Sequence, residues 1–398
     1  MKTLVLIGSL VAATFCAAEE PSPRLNDLTS EWETPPVRCL WNFFNLYNPK
    51  IIHEPETDYP FKMWFFGWAV EEPAQTDEIF FARSKDLLAW EVYTGENSWD
   101  STMNPKLWVP VLVPGKERFD SAASGDPSVV LKDGVYHMAY SSVGFDFVPH
   151  PNPLPQGEGA EPHPAPPSQG EKTVDRIYLV NCIMGATSTD GIHWKKSTGP
   201  ILIWKDEFTN RWALVDGKIG PVPEEYYGSY HRPSLLFDEG RWRLWFDYFH
   251  PGTFLSLGNA ENSGDFLNPL DWKVIRAEKE PLLRDWPNPA VIKVDGKYLA
   301  FSDATGYPPE MGGDRRQITL AESADGIVWK ELGHIRPEGM ASSHVPEPFV
   351  VEWDGTRWLY LFYSWKPERK EGEAWDYRYK EIRYIRKHLD NLPHPSTQ

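Results

Sequence analysis

The stretch Gly125–Ser142, GDPSVVLKDGVYHMAYSS, reads as a strand, a tight turn and a second strand. Ser128–Leu131 is a β-branched, apolar run and Val135–Tyr140 is rich in aromatic residues; Asp133-Gly134 between them is a hairpin turn in which glycine supplies the positive φ. Asp126-Pro127 heads the unit. Proline cannot donate to a ladder, so the pair marks the start of a strand, and the residue before it is expected to be extended.

The same unit returns at Asn48-Pro49, Arg232-Pro233, Asn288-Pro289 and Glu347-Pro348, followed by the runs IIHE, SLLF, AVIK and FVVE. Turns at Asp238-Glu239-Gly240, Asp295-Gly296 and Asp354-Gly355, and a longer one at Glu56–Pro60, lead into aromatic strands such as RWRLWFDYF and RWLYLFYSW. A second signature, A-x-S-x-D-(G)-x-x-W, trails the first at Ala82–Trp90, Ala186–Trp194 and Ala321–Trp329, with a looser version at Ala260–Trp272. A third strand, a turn and a fourth strand opening on tryptophan complete each unit. Four strands recurring at a period of tens of residues predict an all-β fold, a five-bladed β-propeller of four-stranded antiparallel blades.

The expected blades are about 41–95, 120–200, 228–278, 284–333 and 342–390, making residues 41–390 one domain. Residues 1–18 carry Lys2, an apolar run from Leu4 to Phe15 and a small-residue exit at Cys16-Ala17-Ala18. This pattern predicts a cleaved secretory signal, too short to span a membrane, and hence a secreted or periplasmic protein. Bulky Phe15 argues against lipidation of Cys16. Residues 19–40 form a lead and an edge segment. The segment 147–172 is dense in Pro, Gly, Glu and Ser, with too little apolar bulk to offset its ordering entropy, and is expected to be a disordered insertion. The alternating stretch Tyr377–Lys387 is a candidate closing outer strand, with part of residues 30–47 pairing there; residues 391–398 are a tail.

The 19 Trp and 37 Pro are far above average usage, and the aromatic supply suits both a core between blades and platforms for sugars. The net charge of −17 excludes nucleic acid and anionic membranes as partners, which require a basic face. Oligomeric state is not legible. Cys39 and Cys182 either form one disulfide or remain buried thiols. No spacing of Cys and His ligands predicts a zinc site.

In a propeller the first strand of each blade lines the channel, so the residues heading the five units, Asn48, Asp126, Arg232, Asn288 and Glu347, are expected to converge on one funnel. Two carboxylates, an arginine and two amides in one place are costly unless paired or used.

These strand heads, the S-x-D-G-x-x-W blade ends and the export signal resemble the five-bladed propeller glycoside hydrolases, the superfamily of families 32, 43, 68, 117 and 130. The resemblance covers about 41–390. It implies acid/base cleavage of glycosidic bonds in poly- or oligosaccharides by funnel carboxylates, with no required cofactor; calcium occupies the channel in some relatives, though no ligand set here demands it. Asp126, in GDPS, matches an acidic strand-head position of the superfamily, and Glu347 is the only glutamate at such a head. They are the expected base and acid. Families 43 and 32 place an aspartate at the head of the first blade, where this chain has Asn48, and an amide is neither base nor nucleophile. Another acid must be recruited, or the chain is a carbohydrate-binding propeller without turnover. Asp303 and Asp247 interrupt apolar runs and are the next catalytic candidates, ahead of the loop residues Asp120 and Glu310. His231 and His344 flank strand heads, and family 117 enzymes are thought to use a histidine as acid. Arg232 suits a substrate anion. Asn48 and Asn288 join the two histidines and Arg232 as substrate-binding candidates, with Tyr230, Trp286 and Trp365 chosen as stacking aromatics.

Overall fold

The computed structural model describes residues 26–69, 76–116, 119–146, 177–204, 212–215, 218–221, 229–250, 253–277, 281–303, 317–338, 342–353, 355–368 and 378–389. The expected export signal, the expected insertion at 147–172, Glu310 and the expected C-terminal tail at 391–398 lie outside them.

Five antiparallel sheets form a closed ring. Blade 1 is Asn45–His53, Phe61–Trp68, Glu78–Ser84 and Trp90–Tyr93, with Trp99–Asp100 added outside. Blade 2 is Ala123–Lys132, Val135–Asp146, Ile177–Ser188 and Lys195–Leu202, its third strand also pairing a hairpin of Trp212–Val215 and Lys218–Pro221. Blade 3 is Ser229–Asp238, Arg241–His250, Thr253–Asn262 and Trp272–Arg276; blade 4 is Ala290–Val294, Lys297–Ser302, Ile318–Ser323 and Trp329–Ile335. Blade 5 is Ser342–Trp353, Thr356–Lys366, Glu381–His388 and, from the other end of the chain, Glu33–Leu40. Each first strand contacts the first strands of the blades on both sides, which closes the channel.

The closure differs from expectation in one place. Glu381–His388 is the third strand of blade 5, and the outermost is Glu33–Leu40, paired antiparallel with Val37 opposite Tyr384. Just before it, Asn26–Asp27 lies parallel to the last strand of blade 4. The N-terminal lead thus ties two blades.

The hairpin turns are as expected. Asp133-Gly134 has φ of 52° and 76°, Glu239-Gly240 of 52° and 77°, and Asp295-Gly296 of 49° and 79°, the two consecutive left-handed residues that match strand twist. The blade-end signature is a capped turn. Ser188 Oγ accepts the amides of Asp190 and Gly191, Asp190 Oδ1 accepts those of Ile192 and His193, and Trp194 donates its indole N–H to the Gly191 carbonyl. Ser323, Asp325 and Trp329 repeat this around Gly326. Trp64 of blade 1 and Trp245 of blade 3 donate to those same two glycine carbonyls, locking each turn to the preceding blade.

The core is divided into five apolar wedges, one at each interface between blades. Cys39 and Cys182 are buried in different wedges and are free thiols, so the two do not pair.

Candidate active site

The strand heads depart from the extended backbone expected before proline. Asn48, Asp126, Arg232 and Asn288 have φ of 46°, 47°, 51° and 50°. The pairing explains this: in blades 1, 2 and 3 the register jumps across the x-Pro pair, from Tyr47 to Lys50, Gly125 to Ser128 and His231 to Ser234. Each of these three heads is a bulge, a feature that re-aims one side chain.

The same geometry corrects the fifth head. In blade 5 the jump runs from His344 to Glu347, and the left-handed residue is Val345, with φ of 50°. Positive φ is unfavourable for a β-branched side chain, on the order of 1–3 kcal/mol. The Val345 amide is held by Asp303 Oδ2 at 3.1 Å. Glu347 therefore stands one step deeper in the channel, level with Lys50, Ser128, Ser234 and Ala290. Lys50 Nζ meets Glu347 Oε1 at 2.6 Å, both side chains being nearly buried. Burial pushes the Glu347 carboxyl above its ordinary pKa while Lys50 opposes the shift. The structure thus gives Glu347 to Lys50 and does not couple it to Asp126.

Asp126 keeps the expected position at the mouth and is buried. Burial raises its pKa, opposed by Arg232, Ser141 and His231 and assisted by Asp247. Arg232 in turn is held charged, burial being outweighed by Asp247 and Asp126.

Asp247, near the end of the second strand of blade 3, and Asp303, just past that of blade 4, occupy equivalent places by register, each with 0% exposure. Each holds a histidine through Nδ1, Asp247 with His231 and Asp303 with His344. Asp247 Oδ2 also accepts Arg232 Nη1 at 3.0 Å and the Asn288 amide at 2.9 Å. Asp303 Oδ1 accepts Asn288 Nδ2 at 2.5 Å. Asn288 is thereby a buried brace between the two aspartates and not a substrate contact. Burial would raise the Asp247 pKa, but His231, Arg232 and the Asn288 amide together lower it. Neither aspartate is open to substrate; both orient histidines, so the direct catalytic part expected of them falls away. The third member of this series is Ser141, whose Oγ accepts the Arg232 amide at 2.7 Å.

His344 packs flat on Tyr379, with ring centroids 4.6 Å apart, and edge-on to Tyr47 at 5.6 Å. Burial, with Arg232 and Lys366 nearby, pushes its pKa well below the ordinary value. A neutral ring donating Nδ1–H to Asp303 carries its lone pair on Nε2. His231 and Arg232 are partly exposed, with side-chain exposures of 18% and 28%. Asn48 is also partly exposed.

The stacking aromatics chosen from sequence are mostly core. Tyr230 is 4% and Trp286 1% exposed, each within an inter-blade wedge. Trp365 is partly buried, with the Arg383 guanidinium 3.6 Å from its ring centroid. Asp120 is buried against Ser124, Ser142 and Lys196. Sequence reasoning passed over Asp77, Lys50 and Tyr379. Asp77 lies just before the third strand of blade 1, and its pKa is pushed up to about 7 by burial and by the charge of Asp126.

The resemblance allows calcium in the channel. The Lys50 ammonium stands beside Glu347, and among the described residues no three His, Cys, Asp or Glu side chains converge on a point that could hold an ion.

No protein-family model matches the chain, and no curated protein matches it. Solved structures do. Zg3597, a family 117 glycoside hydrolase of the marine bacterium Zobellia galactanivorans, aligns with a TM-score of 0.55 at 11% identity over 92% of each chain. Another structure, described as a glycoside hydrolase, aligns at 0.53 and 14% identity over 94% of this chain and 96% of its own. The Bombyx mori GH32 beta-fructofuranosidase BmSUC1 aligns at 0.50 and 11% identity over 89% of this chain and 63% of its own. At such identities the likeness is one of fold: this chain has the five-bladed propeller fold of glycoside hydrolases.

Proposed function

We propose that the protein is a glycoside hydrolase that cleaves poly- or oligosaccharides at the channel mouth by acid/base catalysis, and that it is exported by its N-terminal signal to the periplasm or the cell exterior. The observation that carries this reading is the convergence of a buried Asp126, Arg232 and two aspartate-held histidines at one mouth of this fold. Asp126 is assigned as the base that takes a proton from the attacking water. Arg232, His231 and the Nε2 face of His344 hold the sugar, and Asp247 and Asp303 are positioning residues. Glu347 is assigned to the channel wall with Lys50.

The second reading is a carbohydrate-binding propeller without turnover. It is favoured by Asn48, which cannot act as base, and by the neutralisation of Glu347. The test is a panel of plant and algal oligosaccharides and aryl glycosides, scored for both binding and product release. A hydrolase loses about 10²–10⁴-fold in kcat/KM on Asp126→Asn, with the fold retained by circular dichroism. Wild-type binding without turnover on any member selects the second reading.

A further inference from the structure

An acid/base site needs a proton donor as well as Asp126, and neither usual source is present: Asn48 is an amide and Glu347 faces an ammonium. Asp77 stands beside the gap. Its backbone carbonyl accepts the Ser124 amide at 2.9 Å, two residues before Asp126, which ties this loop of blade 1 to the head of blade 2. Its Oδ1 is buried and, among the described residues, has no hydrogen-bond partner. An orphaned oxygen is far more costly on a carboxylate than on a neutral acid, where it is the carbonyl oxygen. The groups around the pair act in opposite senses on its two members. The negative charge of Asp126 raises the Asp77 pKa, the Trp68 indole opposes it, and Asp126 itself is flanked by Arg232, His231 and Asp247. Neighbouring Glu78 is also raised by burial.

We infer that Asp77 is the proton-holding partner of Asp126: the two carboxyls carry one proton between them, on Asp77, and this is the acid of the reaction. The inference rests on the glycosidase reading for its catalytic part. In the step, Asp77 gives its proton to the glycosidic oxygen as the C–O bond breaks, and Asp126 takes one from the water that attacks the anomeric carbon. The proton on Asp126 then returns to Asp77, and the net change is addition of one water.

The titration can be read without any substrate. A carboxyl whose folded-state pKa lies above its unfolded value favours folding at low pH, and the advantage is lost as pH rises through the folded pKa. Between pH 3.8 and about 7 the Tm of Asp77→Asn should therefore climb relative to wild type. In an Asp126→Asn background that climb should move to lower pH, because one source of the shift is gone. A Tm difference that is flat with pH, or a climb unmoved by Asp126→Asn, overturns the pair. If Asp77→Asn does not fold, carboxyl ¹³C NMR of aspartate-labelled wild type reads the same event: a resonance titrating near pH 7 is expected, and its absence overturns the pair. With a cleavable substrate in hand, Asp77→Asn should abolish the alkaline limb of the pH–rate profile. Retention of that limb overturns the catalytic assignment alone, and absence of any substrate leaves the substrate-free result to stand or fall separately.

Discussion

The two ends of the propeller both bridge blades with charged side chains, and they do it differently. At the hairpin end, Glu54 of blade 1 accepts Lys62 Nζ at 2.6 Å and the Tyr136 hydroxyl of blade 2. The same latch recurs at equivalent places between blades 3 and 4, where Asp238 accepts Lys293 Nζ at 2.8 Å and the Tyr298 hydroxyl, and Arg243 donates to Tyr298 at 2.8 Å. Burial would raise the pKa of Asp238, but Lys293 and Tyr298 lower it. At the mouth the sign reverses, and Asp77 and Asp126 are both raised. At the hairpin end Asp238 is stabilised as an anion, whereas the mouth holds, beside the anionic Asp247, two carboxyls that are not. A charge arrangement that only needed to join blades would repeat the first solution at both ends, so the difference separates architecture from chemistry.

Lys50 and Glu347 test the boundary, being at the mouth end yet paired like a latch. Removing one partner alone, as in Lys50→Met, strands a buried charge and should cost about 3–5 kcal/mol of stability, read by urea unfolding. Lys50→Met with Glu347→Leu should recover most of that loss. A double variant that folds but has lost turnover would restore Glu347 to the catalytic group and break the comparison.

A smaller effect is expected at Asp247. Asp247→Asn keeps the shape but removes the charge that faces Arg232 and His231, a loss of about 1.5–3 kcal/mol for charge-assisted hydrogen bonds. If Asp247 is a positioning residue, kcat should fall more than binding weakens, measured as kcat against the Kd of an unreactive oligosaccharide. A fall in stability with unchanged kcat would make the His231–Asp247 pair another latch.

The fold was legible because its local signals are strong: Asp-Gly turns between alternating strands, and serine and aspartate side chains that cap their own turns. The mouth was legible in part. Asp126, Arg232, His231 and His344 are where the strand heads predict, whereas Glu347 is not. It stands as far before Gly355 as Asp126 does before Gly134, and that equality misleads because the blade 5 hairpin is two residues longer on each strand, pairing Glu347 with Phe362 where Ser128 pairs with Ala139. Only the pairing shows that Val345-Pro346 and not Glu347-Pro348 is the bulge. Tyr230 and Trp286 stand near heads in the sequence, as rim residues would, but both pack into the wedges between blades. Asp77 carries no proline marker or motif, and only the packing of blade 1 against blade 2 brings it to Asp126.

The smallest effect is expected at the hairpin end. The Asp238–Lys293 pair is partly exposed, with side-chain exposures of 18% and 29%, so solvent screens it and Asp238→Asn should cost about 1 kcal/mol or less. Its pH dependence is opposite to that of Asp77. A carboxyl with a lowered folded-state pKa contributes stability above the unfolded value of 3.8, and the contribution is lost as pH falls through the folded value. The Tm gap between wild type and Asp238→Asn should therefore be present at neutral pH, close below pH 3.8 and leave kcat unchanged throughout. A gap that instead grew on acidification, or one that tracked activity, would mean that the two ends are not divided between holding the ring and working on a substrate.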